Sequence, residues 1–321
     1  MPHFTDNRWV GIDEAGYGPN LGPLVMTAIT AEGPLGSPRP DVWNDLGALT
    51  DRAGGNPKRL WIDDSKRITQ ARDGHQRLQA ATSALLHTTQ RIPSNSTNAH
   101  TRLADILIGL DAGSPSAGEW DRWPGDLPAA TQPVTPVRLE PPLAAWRFRA
   151  PRSTILGPHA FNQALDRLGN KASVHFETFA RLLTAIWADS ANCAVVVNAD
   201  KHGGRHFYYA GLQSIFPDQW IQRGEEGPEL SRYVIQGDDR EIEIRFAPRS
   251  DADNGLVALA SMVSKDLRER WMAAFNRFWC KQVPGLKPTA GYPVDARRFR
   301  TAIESLAASL QCPPEIWWRN R

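Results

Sequence analysis

Near the start of the chain, an apolar run breaks into a loop rich in glycine and proline, in the sequence WVGIDEAGYGPNLGPLV at residues 9–25. The run from Trp9 to Ile12 predicts a short buried strand, and the apolar residues from Leu24 onward predict its partner strand. The glycines between them leave the loop backbone free of side chains, so that a ligand can approach it closely. The chain is therefore expected to begin with two strands joined by a candidate binding loop.

Two adjacent carboxylates, Asp13 and Glu14, lie where the first of these strands ends. Carboxylates at a strand end, beside open backbone, suggest a metal or phosphate site. An ordinary hairpin whose acids face water is the alternative, and this motif alone does not decide between the two.

The composition of the chain narrows the class of protein. Its 321 residues suffice for one large or two average domains, and 41% hydrophobic with 22% charged residues is ordinary for a soluble globular protein. Lys and Arg number 37 against 35 Asp and Glu. A uniformly basic protein that coats nucleic acid is therefore not expected, whereas a local basic groove is still open.

The cysteines and the N-terminus bear on the compartment. Cys193, Cys280 and Cys312 are far apart and form neither a zinc pattern nor a disulfide framework, which favours a reducing compartment. The first residues, MPHFTDNR, lack the apolar core of a signal peptide, and no apolar stretch approaches the thickness of a bilayer. We therefore expect a cytoplasmic protein with no membrane partner.

Beyond the first strand pair, strands and helices intermix along the chain. The predicted elements are helices over 70–91, 174–188, 256–280 and 295–310, a buried strand over 194–197 and a hairpin over 232–246. This mixture predicts an α/β fold with a mixed β-sheet flanked by helices. We expect a single domain over 1–321, with a helical C-terminal extension over 281–321.

Residues 93–151 differ in composition from the rest. They hold nine of the 25 prolines and three tryptophans, Trp120, Trp123 and Trp146. Such a segment cannot sustain long helices. We interpret it as an insertion over the surface, pinned in places by its tryptophans; full disorder is the alternative, although disordered segments are usually poor in aromatic residues.

Four acids, Asp13, Glu14, Asp200 and Asp251, each lie where a predicted strand ends or a predicted helix begins. Carboxylates gathered at one edge of a sheet are the hard oxygen ligands that Mg²⁺ or Mn²⁺ prefers. Two such ions can activate an attacking water and stabilise a leaving oxygen. No histidine or cysteine has the spacing of a zinc site.

Five blocks of this sequence, in order, resemble motifs of the ribonuclease HII family (type 2 ribonuclease H). They are DEAGYGPNLGP at 13–23, DDSKR at 63–67, Asp200 at the end of VVVNAD, the run from Asp251 through Ser261, Lys265 and Arg268, and GYP at 291–293. The resemblance covers residues 9–85 and 153–310 and leaves the proline-rich segment outside.

The resemblance implies a ribonuclease H-like sheet and a two-metal endonuclease that uses Mg²⁺ or Mn²⁺. Its substrate would be an RNA/DNA hybrid or duplex DNA that contains ribonucleotides, cut to leave a 3′-hydroxyl and a 5′-phosphate. Asp13, Glu14, Asp200 and Asp251 would be both the catalytic residues and the metal ligands, with Asp253 as the rival for the fourth place. We expect a monomer.

The resemblance also implies a substrate-binding surface. Its residues would be Gly16, Tyr17, Gly18, Ser65, Lys66, Arg205, Lys265, Arg268 and Tyr292. The Gly16–Gly18 backbone would lie where the 2′-hydroxyl is read, Tyr292 would stack on a sugar or base, and the serine and the cations would bind flanking phosphates. In the alternative interpretation, Tyr292 caps the final helix, and Lys265 and Arg268 belong to a polar outer helix face.

The loop that follows Asp200, KHGGRHFYY at 201–209, mixes cations, histidines and aromatic residues. It suits a nucleic-acid strand, with stacking on Tyr or Phe and a phosphate contact from Arg205. The alternative is a basic loop that only neutralises the acids. His202 or His206 is a candidate for assisting proton transfer to the leaving group.

Three positions depart from the family pattern. Tyr17 stands where the family has an arginine, Arg249-Ser250 precedes Asp251 in place of Lys-Gly, and Val294 replaces a threonine. The first change leaves the preference for a single embedded ribonucleotide open. A nucleic-acid-binding protein with altered catalysis, and a hybrid-only or structure-specific nuclease, are the alternative functions.

Overall fold

The computed structural model describes residues 4–56, 58–91, 106–107, 110, 138–140 and 146–320. The strands are β1 (Asp6–Ala15), β2 (Leu24–Pro34), β3 (Thr50–Asp51), β4 (Leu60–Trp61), β5 (Arg147–Phe148), β6 (Arg152–Leu156), β7 (Cys193–Asp200), β8 (Trp220–Glu226), β9 (Ser231–Gln236) and β10 (Glu241–Ala247). Eight of them form a central mixed sheet, with strand order β5-β2-β1-β7-β10-β9-β8 and β6 paired to β2. Strands β3 and β4 form a separate parallel pair.

Helices flank this sheet and continue beyond it. They are α1 (Val42–Asp45), α2 (Ser65–Gln70), α3 (Gly74–Thr88), α4 (Pro158–Leu168), α5 (Lys171–Ala188), α6 (Tyr209–Ile215), α7 (Ser250–Asp253), α8 (Gly255–Gln282) and α9 (Pro293–Ser309). The predicted fold class, α/β with a mixed sheet flanked by helices and a helical C-terminal part, is confirmed. In the part of the chain that the structure describes, no helix has the length and apolar character needed to cross a membrane.

Three neighbouring strands, β1, β7 and β10, run parallel. Ile12 of β1 lies opposite Ala199 of β7, and Asp200 of β7 lies opposite Ala247 of β10. Because parallel strands end at the same edge of a sheet, the residues that close these strands meet there.

Alternate residues of β1 enter two different cores, as the two-residue period of a strand requires. Trp9 packs in a cluster with Leu85 of α3 and Leu259 of α8, whereas Val10 packs in a cluster with Phe179 of α5 on the other face. The sheet is therefore buried on both faces, and its strand ends are where polar chemistry can reach solvent.

The N-terminus of α8 approaches β1 so closely that only glycine fits between them. A Cβ on Gly11 would lie 2.3 Å from the backbone carbon of Leu256 and 2.3 Å from the nitrogen of Val257. The side chain of Asn254 caps the helix by accepting from the Leu256 N–H at 3.0 Å. This packing brings α7, which carries Asp251 just before the cap, close to β1.

The second half of α8 forms the helical C-terminal part together with α9. Trp271, Phe275 and Trp279 of α8 pack with Phe299 and Ile303 of α9, and the Phe275 and Phe299 rings lie 5.4 Å apart. The division of the chain into one domain with an extension at 281–321 stays a prediction.

The predicted strand pair, the strand over 194–197, the hairpin and the later helices are all present, with somewhat different ends. The predicted helix over 70–91 corresponds to α3, which begins only at Gly74 because Ala71 is extended and ends the preceding helix α2 at Gln70. A Cβ on Gly74, the first residue of α3, would lie 2.3 Å from the carbonyl oxygen of Ile68, so the close packing of the two helices requires glycine there.

Strands β6 and β8 and helix α4 had no predicted counterpart. Strand β8 is an edge strand whose single buried residue is Ile221, so its sequence lacks the alternation that predicts a strand.

Most of the proline-rich segment, including Trp120 and Trp123, lies outside the described residues. Of its described residues, Ile106, Leu110 and Leu139 are buried in the core around α3 and α8. Trp146 is also buried, and its indole nitrogen donates to Asp45 at 2.7 Å. Strand β5 then pairs with β2, so the end of the segment joins the sheet.

Candidate active site

Four carboxylates from three separate parts of the chain meet at the carboxyl ends of β1 and β7. Asp13 and Glu14 lie near the end of β1, Asp200 closes β7, and Asp251 lies in α7, which follows β10. Asp251 lies so close to the others that its charge raises the pKa of Asp13, and the charge of Asp200 raises the pKa of Asp251. Its rival, Asp253, is exposed, whereas Asp251 is partly buried beside the other acids, which favours Asp251 as the fourth acid.

Asp13 is the most buried of the four, with 9% of its surface exposed. Burial raises its pKa well above the ordinary value, and repulsion from Glu14 and Asp251 raises it further. Hydrogen bonds from Ser261 and from the Glu14 N–H, at 2.8 Å, lower the pKa but do not cancel this rise. Ser261 lies in turn 3.0 Å from the hydroxyl of Ser65, which links the second and fourth sequence blocks at this acid.

Glu14 has a partner that the sequence analysis did not identify. The Nε2 atom of His175, a residue of α5 with only 2% exposure, lies 3.3 Å from Glu14 Oε2. Burial alone would raise the Glu14 pKa, but the charge and hydrogen bond of His175 outweigh it and the pKa is lowered. His175 shares the inward face of its helix with Phe179 and Leu182, and a titratable residue at such a position was the signal that could have revealed it.

Asp200 is held by the backbone around it. The Lys201 N–H donates to its Oδ1 at 2.9 Å, and the backbones of Arg249 and Ser250 also bond to it. Arg249 adopts a left-handed conformation, with φ of 57°, which lets the chain turn around the carboxylate. Burial nevertheless raises the Asp200 pKa, and repulsion from Glu14 contributes.

Asp251 has a second acidic neighbour, Asp64, that was not among the predicted site residues. Burial, then Asp64 and Asp200, raise the Asp251 pKa, while the charge of Lys66 opposes the shift. Asp64 also caps α2 by accepting from the Lys66 N–H at 2.7 Å. The two consecutive aspartates at 63 and 64 were the sequence signal that could have identified Asp64. Asp63, in contrast, is buried and paired with Arg67 at 2.5 Å.

The donor chemistry of this cluster fits a hard cation. All of its ligating atoms are carboxylate oxygens, and three of the four acids have pKa values raised by burial and mutual repulsion. In the described ranges, however, no three His, Cys, Asp or Glu side chains already form a group that could hold a metal ion. The contact to His175 is made by the Oε2 atom of Glu14, and a carboxylate held by histidine at one oxygen can still bind a cation through the other.

The glycine-rich loop between β1 and β2 is supported from beneath by Arg268. Gly16 has φ of 93°, and a Cβ there would lie 2.3 Å from the Pro23 carbonyl oxygen and 3.0 Å from the Arg268 side chain. Arg268 is 1% exposed and donates to the carbonyl oxygens of Leu21 and Ala290, at 3.3 and 2.8 Å. The structure therefore places Arg268 behind the loop, on neither an exposed phosphate-binding surface nor a polar outer face.

A second buried arginine, Arg319, supports the same loop and lies beyond the residues that resemble the family. Its guanidinium donates to the carbonyl oxygens of Tyr17, at 3.2 Å, and of Pro19. Its own N–H donates to the Asn20 carbonyl at 2.7 Å. Burial lowers its pKa to about 9, and the nearby charge of Arg268 contributes.

Tyr17, Gly18 and Tyr292 form the solvent side of this loop. The Tyr17 ring packs edge-on against His175, with centroids 4.9 Å apart. Gly18 is exposed, and a Cβ on it would lie 3.9 Å from the ring of Tyr292, which is 52% exposed. Tyr292 precedes α9 but makes no side-chain capping bond, so its ring is open to a ligand.

The remaining predicted substrate-binding residues differ in access. Ser65 is buried, whereas Lys66 is exposed at the start of α2. Lys265 is partly buried and lies 3.2 Å from Glu269. Arg205 lies over the Phe176 ring at 5.1 Å, beside the acid cluster. Of these four residues, Lys66 is therefore the most accessible to a phosphate.

Comparisons with known proteins give a distant match. No protein-family profile matches the chain, and no curated protein does. The chain is similar in structure to ribonuclease HII from Archaeoglobus fulgidus, solved in complex with PCNA, at a TM-score of 0.40 and 13% identity over 98% of this chain and 94% of that one. It is also similar to ribonuclease H2 from Pyrococcus horikoshii OT3, at 0.42 and 13% over 97% and 92%.

A third similar structure is that of Bst-RNase HIII in complex with Mn²⁺, at a TM-score of 0.41 and 14% identity, covering 98% of this chain and 66% of that one. These structures are of the type 2 ribonuclease H kind that the sequence blocks resemble. A likeness this distant identifies no function, so the function must be inferred from the residues of the site.

Proposed function

We propose that this protein is a metal-dependent endonuclease of the ribonuclease H type, which hydrolyses the phosphodiester at ribonucleotides in an RNA/DNA hybrid or in duplex DNA. The products would carry a 3′-hydroxyl and a 5′-phosphate. The observation that carries the proposal is the meeting of Asp13, Glu14, Asp200 and Asp251 at one edge of the sheet, where burial and mutual repulsion raise the pKa values of three of them.

Uncompensated buried carboxylates are costly unless something neutralises them, and a cation does so. Asp13, Glu14, Asp200 and Asp251 would hold two Mg²⁺ or Mn²⁺ ions. When bound, such ions supply an activated water and stabilise the charge on the leaving oxygen. The rigid backbone bonds to Asp200 and the hydroxyl contact to Asp13 would fix the ligand oxygens in place.

The surroundings of the acids suit a nucleic acid. The open backbone at Gly18 would lie against the sugar, where the 2′-hydroxyl distinguishes RNA from DNA. Tyr292 would stack beside it, and Lys66 would pair with a flanking phosphate. Tyr17 packs on His175 and does not extend as an arginine would. The ribonucleotide would therefore be recognised mainly by the protein backbone at Gly18 and by Tyr292.

One gel assay tests this function. Three duplexes, with an all-RNA strand, a single ribonucleotide and no ribonucleotide, are incubated with the protein in Mg²⁺ or Mn²⁺. We expect cleavage of the first two and none of pure DNA. Asp251→Asn should abolish cleavage, whereas Asp253→Asn, two residues away and exposed, should leave it unchanged. Equal activity of the two variants would show that the acids are wrongly assigned.

A second candidate function is a nucleic-acid-binding protein that does not cleave. The contact between Glu14 and His175 favours it, because a histidine occupies one of the two carboxylate oxygens of Glu14. Tight binding of the hybrid with no product in either metal would support this alternative, and cleavage would exclude it.

A further inference from the structure

Three aromatic residues in a row follow the loop after Asp200, and the structure separates them sharply. Phe207 is 72% exposed, whereas Tyr208 is 1% exposed. The Tyr209 ring is covered by the guanidinium of Arg223 at 3.6 Å. Only Phe207 presents a free aromatic face to solvent among these three.

The backbone that carries Phe207 is fixed on both sides. Tyr208 stacks on Phe246 with ring centroids 3.7 Å apart, and its N–H donates to the Tyr233 hydroxyl at 2.9 Å. On the other side, the His206 carbonyl accepts from the Ser231 hydroxyl at 2.6 Å. The exposure of Phe207 is therefore imposed by its neighbours and is not the fraying of a loose loop.

Phe207 lies at the same edge of the sheet as the acids. The loop leaves β7 at Asp200 and is bonded to Ser231, the first residue of β9, two strands away. Strands lie about 4.8 Å apart, so this is roughly 10 Å from the end of β7. A base step along a duplex is about 3.4 Å, so a duplex lying along this row of strand ends would cover the separation in about three base steps. Tyr292 lies on the opposite side of the acids, beside the β1–β2 loop.

A cation lies two residues before Phe207 in the same loop. The Arg205 guanidinium is held over Phe176 and Tyr208, at 5.1 and 5.7 Å from their ring centroids. An exposed aromatic ring next to a positive charge is the arrangement by which proteins hold single-stranded nucleic acid, through stacking on a base and contact with its phosphate.

Within an intact duplex both faces of each base are covered by its neighbours. An aromatic side chain therefore stacks most readily on a base that has left the helix, because it need not separate two stacked bases. We propose that Phe207 and Arg205 form a docking surface for an unpaired base about three positions from the cleaved ribonucleotide, so that duplexes with such a base bind more tightly. This inference rests on the proposed function, because it places the nucleic acid across the acid cluster.

The test measures binding without cleavage. Duplexes with one ribonucleotide carry a single unpaired 2-aminopurine three positions to its 5′ or 3′ side, and a fully paired duplex serves as reference. Fluorescence anisotropy in EDTA gives the affinity, and 2-aminopurine emission, which falls on stacking, reports the contact. We expect one of the two bulged duplexes to bind the wild type about tenfold more tightly than the paired duplex, with quenching.

Phe207→Ala should lose both the tenfold advantage and the quenching, and Phe207→Trp should keep them. The matched control is Trp220→Ala: Trp220 is 71% exposed but opens the edge strand β8, opposite Gln236, at the far end of the sheet. This variant should behave as wild type. The proposal is overturned if Phe207→Ala and the wild type prefer the bulged duplex over the paired one to the same extent. It is also overturned if neither protein prefers the bulged duplex.

The two failures can be told apart. If the wild type binds and cuts ribonucleotide duplexes but Phe207→Ala matches it, only the docking surface is wrong. If the wild type binds no ribonucleotide duplex, the proposed function is wrong, and the docking surface with it.

Discussion

The two ends of strand β1 carry charges arranged in opposite ways. At its start, Arg8 is buried and lies 2.7 Å from Glu32, which also pairs with Arg147 and Arg149 at 3.1 and 2.7 Å. These partners outweigh burial and lower the Glu32 pKa. At its end, Asp13 has no cationic partner among the groups that set its pKa, and its pKa is raised.

The contrast distinguishes carboxylates that stabilise the fold through arginine partners from carboxylates that lack a cationic partner and can bind a cation. A buried carboxylate surrounded by arginines is stabilised where it lies and gains nothing from a cation. A buried carboxylate surrounded by other carboxylates destabilises the fold until a cation arrives. Four predictions test this difference, beginning with the largest effect.

The largest effect is expected on activity at the acid end. Asp13→Asn removes a charge that the proposed cations require, so cleavage of a ribonucleotide duplex should fall about a thousandfold. Because the lost charge is uncompensated, the melting temperature in EDTA should stay the same or rise. A clear loss of stability would mean that Asp13 holds the fold, like Glu32.

At the other end of β1 the effects should be reversed. Glu32→Gln leaves Arg8 buried without its carboxylate, which should cost about 3 kcal/mol of the free energy of unfolding. Urea denaturation measures this loss. Cleavage by the folded fraction should be unchanged, since Glu32 lies at the far end of the strand from the acids. Loss of cleavage in fully folded protein would contradict the division between the two ends.

The pH dependence of stability should also differ between the ends. The raised pKa of Asp13 means that the folded protein binds its proton more tightly than the unfolded chain. In EDTA, stability contributed by this group is therefore lost as pH rises from about 4. Asp13→Asn should flatten that loss in thermal melts. The lowered Glu32 pKa has the opposite sign, so Glu32→Gln should flatten the loss of stability on acidification below about pH 4.5.

The smallest effect concerns exposed cations. Lys66 lies beside Asp251, and Lys66→Ala should weaken duplex binding equally whatever the base sequence. The slope of log K against log salt concentration should fall by about 1 in magnitude, as expected for the loss of one phosphate contact. Arg147→Ala, with a side chain 79% exposed at the other end of β1, should change neither. Anisotropy titrations over a range of salt measure both slopes. Equal slopes for the two variants would remove Lys66 from the substrate-binding surface.

The positions of the four acids in the fold were predictable because their signal is local. Each follows an apolar strand or opens a helix, and the parallel register of β1 and β7 then brings Asp13 and Asp200 to one edge. The same is true of α8, whose apolar residues recur along its full length. A local pattern suffices where the backbone alone determines the position.

The supporting residues were not predictable in this way, because their roles depend on segments distant in sequence. Arg268 was expected at a solvent-facing phosphate, but the loop at Leu21 and the segment at Ala290 cover it. Arg319 reaches the same loop from almost the end of the chain. Helical spacing places His175 on the inward face of α5, but its contact with Glu14 depends on how α5 packs against the end of β1.

Calorimetric titration of the metal-free protein with Mn²⁺ tests most directly whether the carboxyl ends of β1 and β7 form a cation site. We predict binding to the wild type and to Asp253→Asn with equal affinity, and its loss or a marked weakening in Asp200→Asn. Equal Mn²⁺ binding by Asp200→Asn and wild type, or no binding by the wild type, would contradict it.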